Sequence, residues 1–216
     1  MNKQTGIKAL LHKTISVAGS YLALGSVMLA AACSTTNPAG PSQIPVVTQN
    51  GAVVNYTLPG NLAPKHKVGC VSLGNASDTW TPADVFPAMR TCIDRGSYTN
   101  AVELFTLASS YGQFDMARVM DHSAWNALQV LQMQYMKDVT PAQKSGFNQA
   151  AQAMLQNRSD ICMQLEKLGP PNYVPTYMLE HGMAAFTGTS KNGGLVENFN
   201  AQSVWALVLH DYAHCT

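Results

Sequence analysis

The stretch YTNAVELFTLASSY, residues 98–111, decides the fold. Its apolar positions at helical spacing are Ala101, Leu104, Phe105 and Ala108. Because an α-helix completes a turn about every 3.6 residues, these side chains form a stripe along one face. The stretch therefore predicts an amphipathic helix from about Tyr98 to Tyr111 that buries this face and ends at Gly112.

Helix-start signals stand on both sides of this stretch. Thr81-Pro82 and Thr140-Pro141 each place a capping threonine before a proline that suits the first helical position. They predict helices that run to about Arg95 and about Asn157. Further helices are predicted over residues 114–137, with a break near 121–123, and over residues 159–169, 175–185 and 200–214. About seven short helices with brief turns predict an all-α fold, a compact bundle.

The first two predicted helices are similar to a helical hairpin of the tetratricopeptide type. The residues that carry the resemblance are Gly96, Tyr98, Ala101, Phe105 and Ala108. In that family, glycine, tyrosine and small residues let two helices pack closely. The resemblance covers about 30 residues, and no regular period of about 34 residues follows it. It implies one closely packed helix pair and no repeat array.

The N-terminus carries an export signal. Three lysines, an apolar run over residues 15–28 and the segment Leu29-Ala30-Ala31-Ala32-Cys33 follow one another. A positive start, an apolar stretch and small residues before a cleavage point are typical of a signal peptide, here residues 1–32. The end of the segment resembles the lipobox of bacterial lipoproteins, with Ala30 in the usual leucine place. The resemblance implies that Cys33 carries a lipid and begins the mature chain.

Two other outcomes stay open for this segment. Ala30-x-Ala32 also suits an ordinary signal peptidase, and the run that ends at Ala32 is close to the lower length limit of a spanning helix. In Gram-negative lipoproteins the residue after the cysteine guides sorting, and Ser34 is not the aspartate that favours the inner membrane. The resemblance thus implies a lipid anchor in the cell envelope, at the outer membrane and facing the periplasm.

Composition excludes one class of partner. Three of the 13 Lys and Arg residues lie in the signal segment, so the remaining chain is slightly acidic against its 12 Asp and Glu. Without a basic patch, nucleic acid is not an expected partner. With 46% hydrophobic residues, the chain can bury a sizeable core. The sequence implies no cofactor.

Four cysteines remain once Cys33 is set aside: Cys70, Cys92, Cys162 and Cys215. An even number in an oxidising compartment is typical of two disulfides, with four buried free thiols as the alternative. Four cysteines allow three pairings. The sequence favours Cys70–Cys92, which fastens the entry loop to the first helix, and Cys162–Cys215, which fastens the C-terminus.

Residues 33–67 predict a lipidated cysteine and a flexible tether, and residues 68–216 predict the helical domain. No charged residue occurs from Ser34 to Pro64, and prolines and glycines recur there. Within the tether, Asn50-Gly51 is a turn signal between two valine-rich runs, which predicts a small β-hairpin. Because a lone hairpin is marginally stable in water, docking on the domain, pairing with a partner's sheet edge and disorder all stay open.

The most distinctive motif for chemistry is residues 210–214, His-Asp-Tyr-Ala-His. Histidines four residues apart share a helix face, and the pattern resembles the H-E-x-x-H motif of zinc peptidases with aspartate in the glutamate place. The resemblance implies a metal site at His210 and His214, with Glu180 or His181 as the third ligand. The alternative is structural, because a histidine in the last helical turn interacts favourably with the helix dipole.

Residues 169–177, GPPNYVPTY, join two predicted helices. Their prolines favour a stiff corner, which is the favoured interpretation of the segment. Tyr173 and Tyr177 are also candidates for a flat contact surface, because tyrosine offers a large contact area at a small entropy cost.

Three functions fit these features. The first is a non-catalytic, membrane-anchored lipoprotein whose helical domain binds another envelope protein, since the sequence contains no nucleophile elbow and no phosphate-binding loop. The second is a metal-binding protein or metal-dependent hydrolase that uses His210 and His214. The third is a carrier of a small ligand held between helices.

Overall fold

The computed structural model describes residues 44–50 and 53–215. The signal segment, Cys33 and the predicted turn residue Gly51 lie outside these ranges. Within them the chain forms eight α-helices and one two-stranded antiparallel sheet. The prediction of an all-α fold with a small β-hairpin is confirmed.

The hairpin consists of β1 (Val46–Asn50) and β2 (Val53–Thr57). The helices are α1 (Pro82–Asp94), α2 (Tyr98–Arg118), α3 (Asn126–Met136), α4 (Pro141–Gln156), α5 (Ser159–Leu168), α6 (Thr176–Leu179), α7 (Met183–Thr187) and α8 (Ala201–Leu207). Short 3-10 turns cover Leu73–Asn75, His122–Trp125 and Asn192–Gly194, and a π-helical turn, Val208–Tyr212, extends α8. Among the described residues, no helix has the length and apolar content that a bilayer crossing requires.

Both predicted threonine caps begin a helix. The Asp84 backbone N–H donates to the Thr81 hydroxyl at 3.3 Å, and the Thr81 backbone N–H donates to the Asp84 carboxylate at 2.7 Å. Thr140 and Gln143 form the same reciprocal pair at the start of α4. Because each cap satisfies backbone N–H groups that a helix N-terminus leaves free, it contributes about 1 kcal/mol.

The core is built around α2. Its fully buried apolar residues include Ala101, Leu104, Leu107, Ala108 and Tyr111. Phe105 lies at the edge of this core, where its ring centroid is 6.1 Å from that of Phe86 and 5.8 Å from that of Phe147. α1 packs on α2, and Gly96 adopts the left-handed conformation, φ 71°, in the turn between them. The predicted apolar stripe therefore faces the core.

α2 is longer than predicted, because Gly112 does not end it. The helix continues to Arg118, so residues 114–118 belong to α2 and not to the next helix. A Cβ on Gly112 would collide with Leu128, so glycine at this position lets α3 approach α2 closely. The expected break near 121–123 is present as a 3-10 turn.

The predicted helix over residues 175–185 is split into α6 and α7. Gly182 separates the two, and a Cβ there would collide with Asp121. The Asp121 carboxylate accepts the Ala184 backbone N–H at 2.8 Å, and the Ser123 hydroxyl accepts the Met183 N–H at 2.8 Å. Because these groups from a distant segment satisfy the first N–H groups of α7, a new helix begins there.

Two disulfides fasten the ends of the domain. Cys70 is joined to Cys92 in α1, and Cys162 in α5 is joined to Cys215 near the C-terminus. This is the pairing that the sequence favours. The bonded cysteines are 22 and 53 residues apart, so each bond closes a loop and restricts the unfolded chain.

The folded domain begins earlier than residue 68. Leu58 is buried, with 2% of its surface exposed. The backbone N–H groups of Lys65 and His66 donate to the Asp84 carboxylate at 2.5 and 2.6 Å. Residues 58–67 are therefore part of the domain, and the predicted tether over residues 33–67 is too long at its C-terminal end.

Candidate functional site

The predicted metal ligands do not form a cluster. His210 lies in the π-helical turn after α8, and His214 adopts the left-handed conformation with a φ of 55°. The four-residue spacing on one α-helical face therefore does not apply to this pair. The Nδ1 atom of His210 lies 2.7 Å from the Asp211 carboxylate, its sequence neighbour.

The proposed third ligands lie in the turn after α6. His181 Nδ1 is 2.8 Å from the Asn61 side-chain oxygen, and burial lowers the pKa of His181. Burial raises the pKa of Glu180. Within residues 44–50 and 53–215, no group of three or more His, Cys, Asp or Glu side chains is placed to hold a metal ion. The geometry gives the metal hypothesis no support.

Tyr177 does not present a contact surface. Its side chain has 0% of its surface exposed, and its hydroxyl donates to Asp115 Oδ2 at 2.8 Å. The Tyr173 hydroxyl donates to the same oxygen at 3.0 Å. The expectation of an aromatic contact surface is therefore wrong for Tyr177, and Tyr173 directs its polar end inward. The segment that holds them is a corner between α5 and α6, the structural interpretation of residues 169–177.

Asp115 and Arg118 form a buried ion pair that the sequence analysis missed. Arg118 Nε donates to Asp115 Oδ1 at 2.9 Å, and a terminal guanidinium nitrogen lies 2.6 Å from the same oxygen. The guanidinium carbon also lies 5.1 Å from the Phe114 ring centroid and 5.0 Å from the Tyr173 centroid. The available signal was the three-residue spacing, which puts Asp115 and Arg118 on one helix face.

This cluster is structural. Burial raises the pKa of the Asp115 carboxyl, whereas the Arg118 guanidinium and the hydroxyls of Tyr177 and Tyr173 act to lower it. Both carboxylate oxygens accept protein donors. Because the carboxylate is fully occupied and buried, it joins α2 to the corner at residues 169–177 and offers no vacant group to a substrate.

The best candidate for a ligand site is a cleft of about 510 Å³ between α2, α3 and the π-helical turn. Its polar and aromatic lining consists of Gln113, His122, Trp125, Asn126, Gln129, Gln132 and Tyr212. We call it the amide cleft. Its lining contains no carboxylate, lysine or arginine.

The β-hairpin forms a second candidate surface. Val47 pairs with Tyr56 across the two strands, and these side chains are 55% and 60% exposed. Val46 and Ile44 are exposed as well. We call these four residues the hairpin surface. It is apolar, and no charged residue occurs in either strand.

No family model, curated protein or solved structure matches this chain.

Proposed function

We propose that this chain is a non-catalytic lipoprotein of the bacterial cell envelope whose helical domain binds another envelope protein. The observation that carries the proposal is the hairpin surface, a set of exposed apolar side chains on the two faces of a two-stranded sheet. The signal segment is predicted to direct export, and a lipid on Cys33 is predicted to anchor the chain to the membrane. The two disulfides support an oxidising compartment, because such bonds persist outside the cytoplasm.

The hairpin fits a partner that adds a strand. In the part of the chain that the structure describes, the sheet has two strands, so each strand has one edge without a β-strand partner there. Proteins usually protect such edges with charged residues, prolines or bulges. Neither β1 nor β2 contains a charged residue or a proline. An unprotected, exposed edge is the feature that strand addition uses, with backbone hydrogen bonds for affinity and alternate side chains for specificity. The occupant that we propose is an edge strand of an envelope protein.

The length of the tether limits how far from the membrane the proposed partner can bind. An extended chain spans at most about 3.6 Å per residue. The segment between Cys33 and Val46 therefore reaches no further than about 45 Å from a lipid attached at Cys33. The partner that we propose is therefore a membrane protein, or a soluble envelope protein that binds within this distance of the membrane, with the outer membrane as the expected location.

Site-specific crosslinking tests the partner. The full-length chain is expressed with a photoreactive amino acid at Val47, or at Gln152, an exposed residue of α4, as the control. We expect a discrete crosslinked product from Val47 and none from Gln152. In the same Val47 background, Tyr56→Lys places a charge opposite the probe and should abolish the product without changing thermal unfolding. Equal products from Val47 and Gln152, or none, would contradict the proposal.

A separate experiment tests the anchor. Mass spectrometry of the mature N-terminal peptide should show an acylated Cys33, and Cys33→Ser should move the protein from the membrane fraction to the soluble fraction. A chain that begins at Met1, or an unmodified Cys33, would contradict the lipid anchor and leave the crosslinking result to stand by itself.

The amide cleft favours a second candidate function, the small-ligand carrier. The cleft volume of about 510 Å³ falls within the usual range for a small-molecule site. The two functions use different surfaces, so one chain can perform both.

A further inference from the structure

One face of α3 carries a line of carboxamides. Asn126, Gln129 and Gln132 follow one another at three-residue intervals, which places them along the same side of the helix. Gln113 approaches from α2 and lines the same cleft. Each carboxamide offers two N–H donors and a carbonyl acceptor in one plane. The cleft therefore presents both hydrogen-bond donors and acceptors along its length.

Most of these amides are available to a ligand. Within the described part of the chain, the side chains of Gln113, Asn126 and Gln129 make no hydrogen bond to protein groups. Gln132 donates from its nitrogen to the Ser109 hydroxyl at 3.3 Å, which holds the side chain in place. A row of unused donors and acceptors beside one fixed amide suits a ligand that can both donate and accept repeatedly, as hydroxyl groups do.

Aromatic rings complete the lining. The Trp125 indole N–H donates to the Val119 carbonyl at 3.2 Å, which fixes the orientation of the ring. The His122 ring packs on Trp125 with centroids 4.0 Å apart. Tyr212 lines the cleft from the π-helical turn and is 37% exposed. Flat, apolar ring faces next to amides match the two kinds of surface on a sugar, whose ring face is C–H and whose rim is hydroxyl.

The absence of charge narrows the ligand class. The cleft lining contains no carboxylate, lysine or arginine. A multiply charged ligand would therefore lose its hydration shell without gaining an ion pair, which is unfavourable. A lipid chain would bury the unused amides without partners, which is unfavourable as well. We propose that the amide cleft binds a neutral oligosaccharide. This inference is independent of the hairpin surface and of lipidation.

Binding is measured on the full-length chain expressed with its own signal and purified in a detergent without a sugar headgroup. The probes are chitotriose and cellotriose, which are both neutral and differ in their acetamido groups, and trigalacturonate as the acidic comparison. Isothermal titration with tryptophan fluorescence should show saturable binding of at least one neutral trisaccharide and none of the acid. A preference for chitotriose would show that the acetamido groups are recognised.

Two variants locate the site. Gln129→Leu removes hydrogen-bonding groups at similar size, and Tyr212→Leu removes a ring; each should weaken binding about tenfold. Gln152→Leu on α4 is the matched control and should bind like the unmodified protein. No saturation at millimolar sugar, binding of the acid alone, or binding that both cleft variants retain would overturn the proposal. Thermal unfolding verifies that each variant is folded.

Discussion

Asp115 lies at the centre of the buried polar cluster that joins α2 to the corner at residues 169–177. Its carboxylate accepts hydrogen bonds from Arg118, Tyr173 and Tyr177 at 2.8 to 3.0 Å, in a site with no exposed surface. Removing one donor from a buried carboxylate leaves its charge less well compensated. We therefore predict that Tyr177→Phe lowers the free energy of unfolding by about 1–3 kcal/mol, measured by urea denaturation of the full-length chain.

Tyr173→Phe is the comparison for that prediction. The Tyr173 hydroxyl donates to Asp115 Oδ2 at 3.0 Å and the Tyr177 hydroxyl at 2.8 Å, so the Tyr173 hydrogen bond is the longer of the two. The loss for Tyr173→Phe should be the smaller of the two. Equal stability of Tyr177→Phe and the unmodified protein would show that the hydroxyl does not support the ion pair.

Asp84 gives the fold a dependence on acid. Burial acts to raise its pKa, but hydrogen bonds from His66 and Thr81 outweigh burial and hold the pKa below the ordinary value. A carboxyl with a lowered pKa in the folded state contributes stability above its unfolded pKa, about 3.9, and loses it as the pH falls through the folded value. We predict that Asp84→Asn is less stable at pH 7 and that the difference narrows below about pH 4.

Urea unfolding of both proteins from pH 7 to pH 2 measures this difference. Asp121→Asn is a useful companion, because burial acts to raise the pKa of Asp121 while hydrogen bonds from Ser123 and Ala184 hold it below the ordinary value. Asp121 is more exposed than Asp84, so the companion should show the same trend with a smaller amplitude. A difference for Asp84→Asn that is constant over the whole range would rule out ionisation as its cause.

At the scale of elements, the approach of α2 and α3 depends on Gly112. A Cβ there would collide with Leu128, which also lines the amide cleft. Alanine would favour the helix by about 1 kcal/mol, but overpacking against α3 costs about 1–3 kcal/mol. We predict a net loss of stability for Gly112→Ala and weaker sugar binding, measured by urea denaturation and titration. Gly69→Ala is the control, because a Cβ there has open space around it.

Elements that depend on neighbouring residues were predictable, and those that depend on distant residues were not. The starts of α1 and α4 follow from Thr81 and Thr140, because a capping box is complete within four residues. In the sequence Gly112 looks like a helix end, and only the close approach of α3 explains why a glycine lies inside α2. The burial of Tyr177 requires Asp115, 62 residues away, which no local pattern indicates. The carboxamide spacing on α3 was visible in the sequence, but its significance required the cleft beside it.

At the scale of the whole molecule, the disulfides connect segments that enter and leave the core. Cys70–Cys92 holds the segment before α1, next to the hydrogen bonds between residues 65–66 and Asp84. Cys162–Cys215 holds the C-terminus, beside the π-helical turn that supplies Tyr212 to the amide cleft. The Cys162–Cys215 bond thereby fixes the segment next to the turn that supplies Tyr212 to the proposed sugar site.

The two disulfides should contribute unequally to stability. The cysteine separations are 22 and 53 residues, and the entropy removed from the unfolded chain grows with the length of the closed loop. We predict losses of about 3 kcal/mol for the Cys70→Ser, Cys92→Ser double variant and about 4 kcal/mol for the Cys162→Ser, Cys215→Ser double variant. Urea denaturation of the exported full-length chains measures both, and the second variant should also lose sugar affinity because Tyr212 is no longer held. The reverse order of stability would show that contacts in the folded state outweigh loop entropy. Unchanged sugar affinity would show that the Cys162–Cys215 bond does not hold the cleft in its binding conformation.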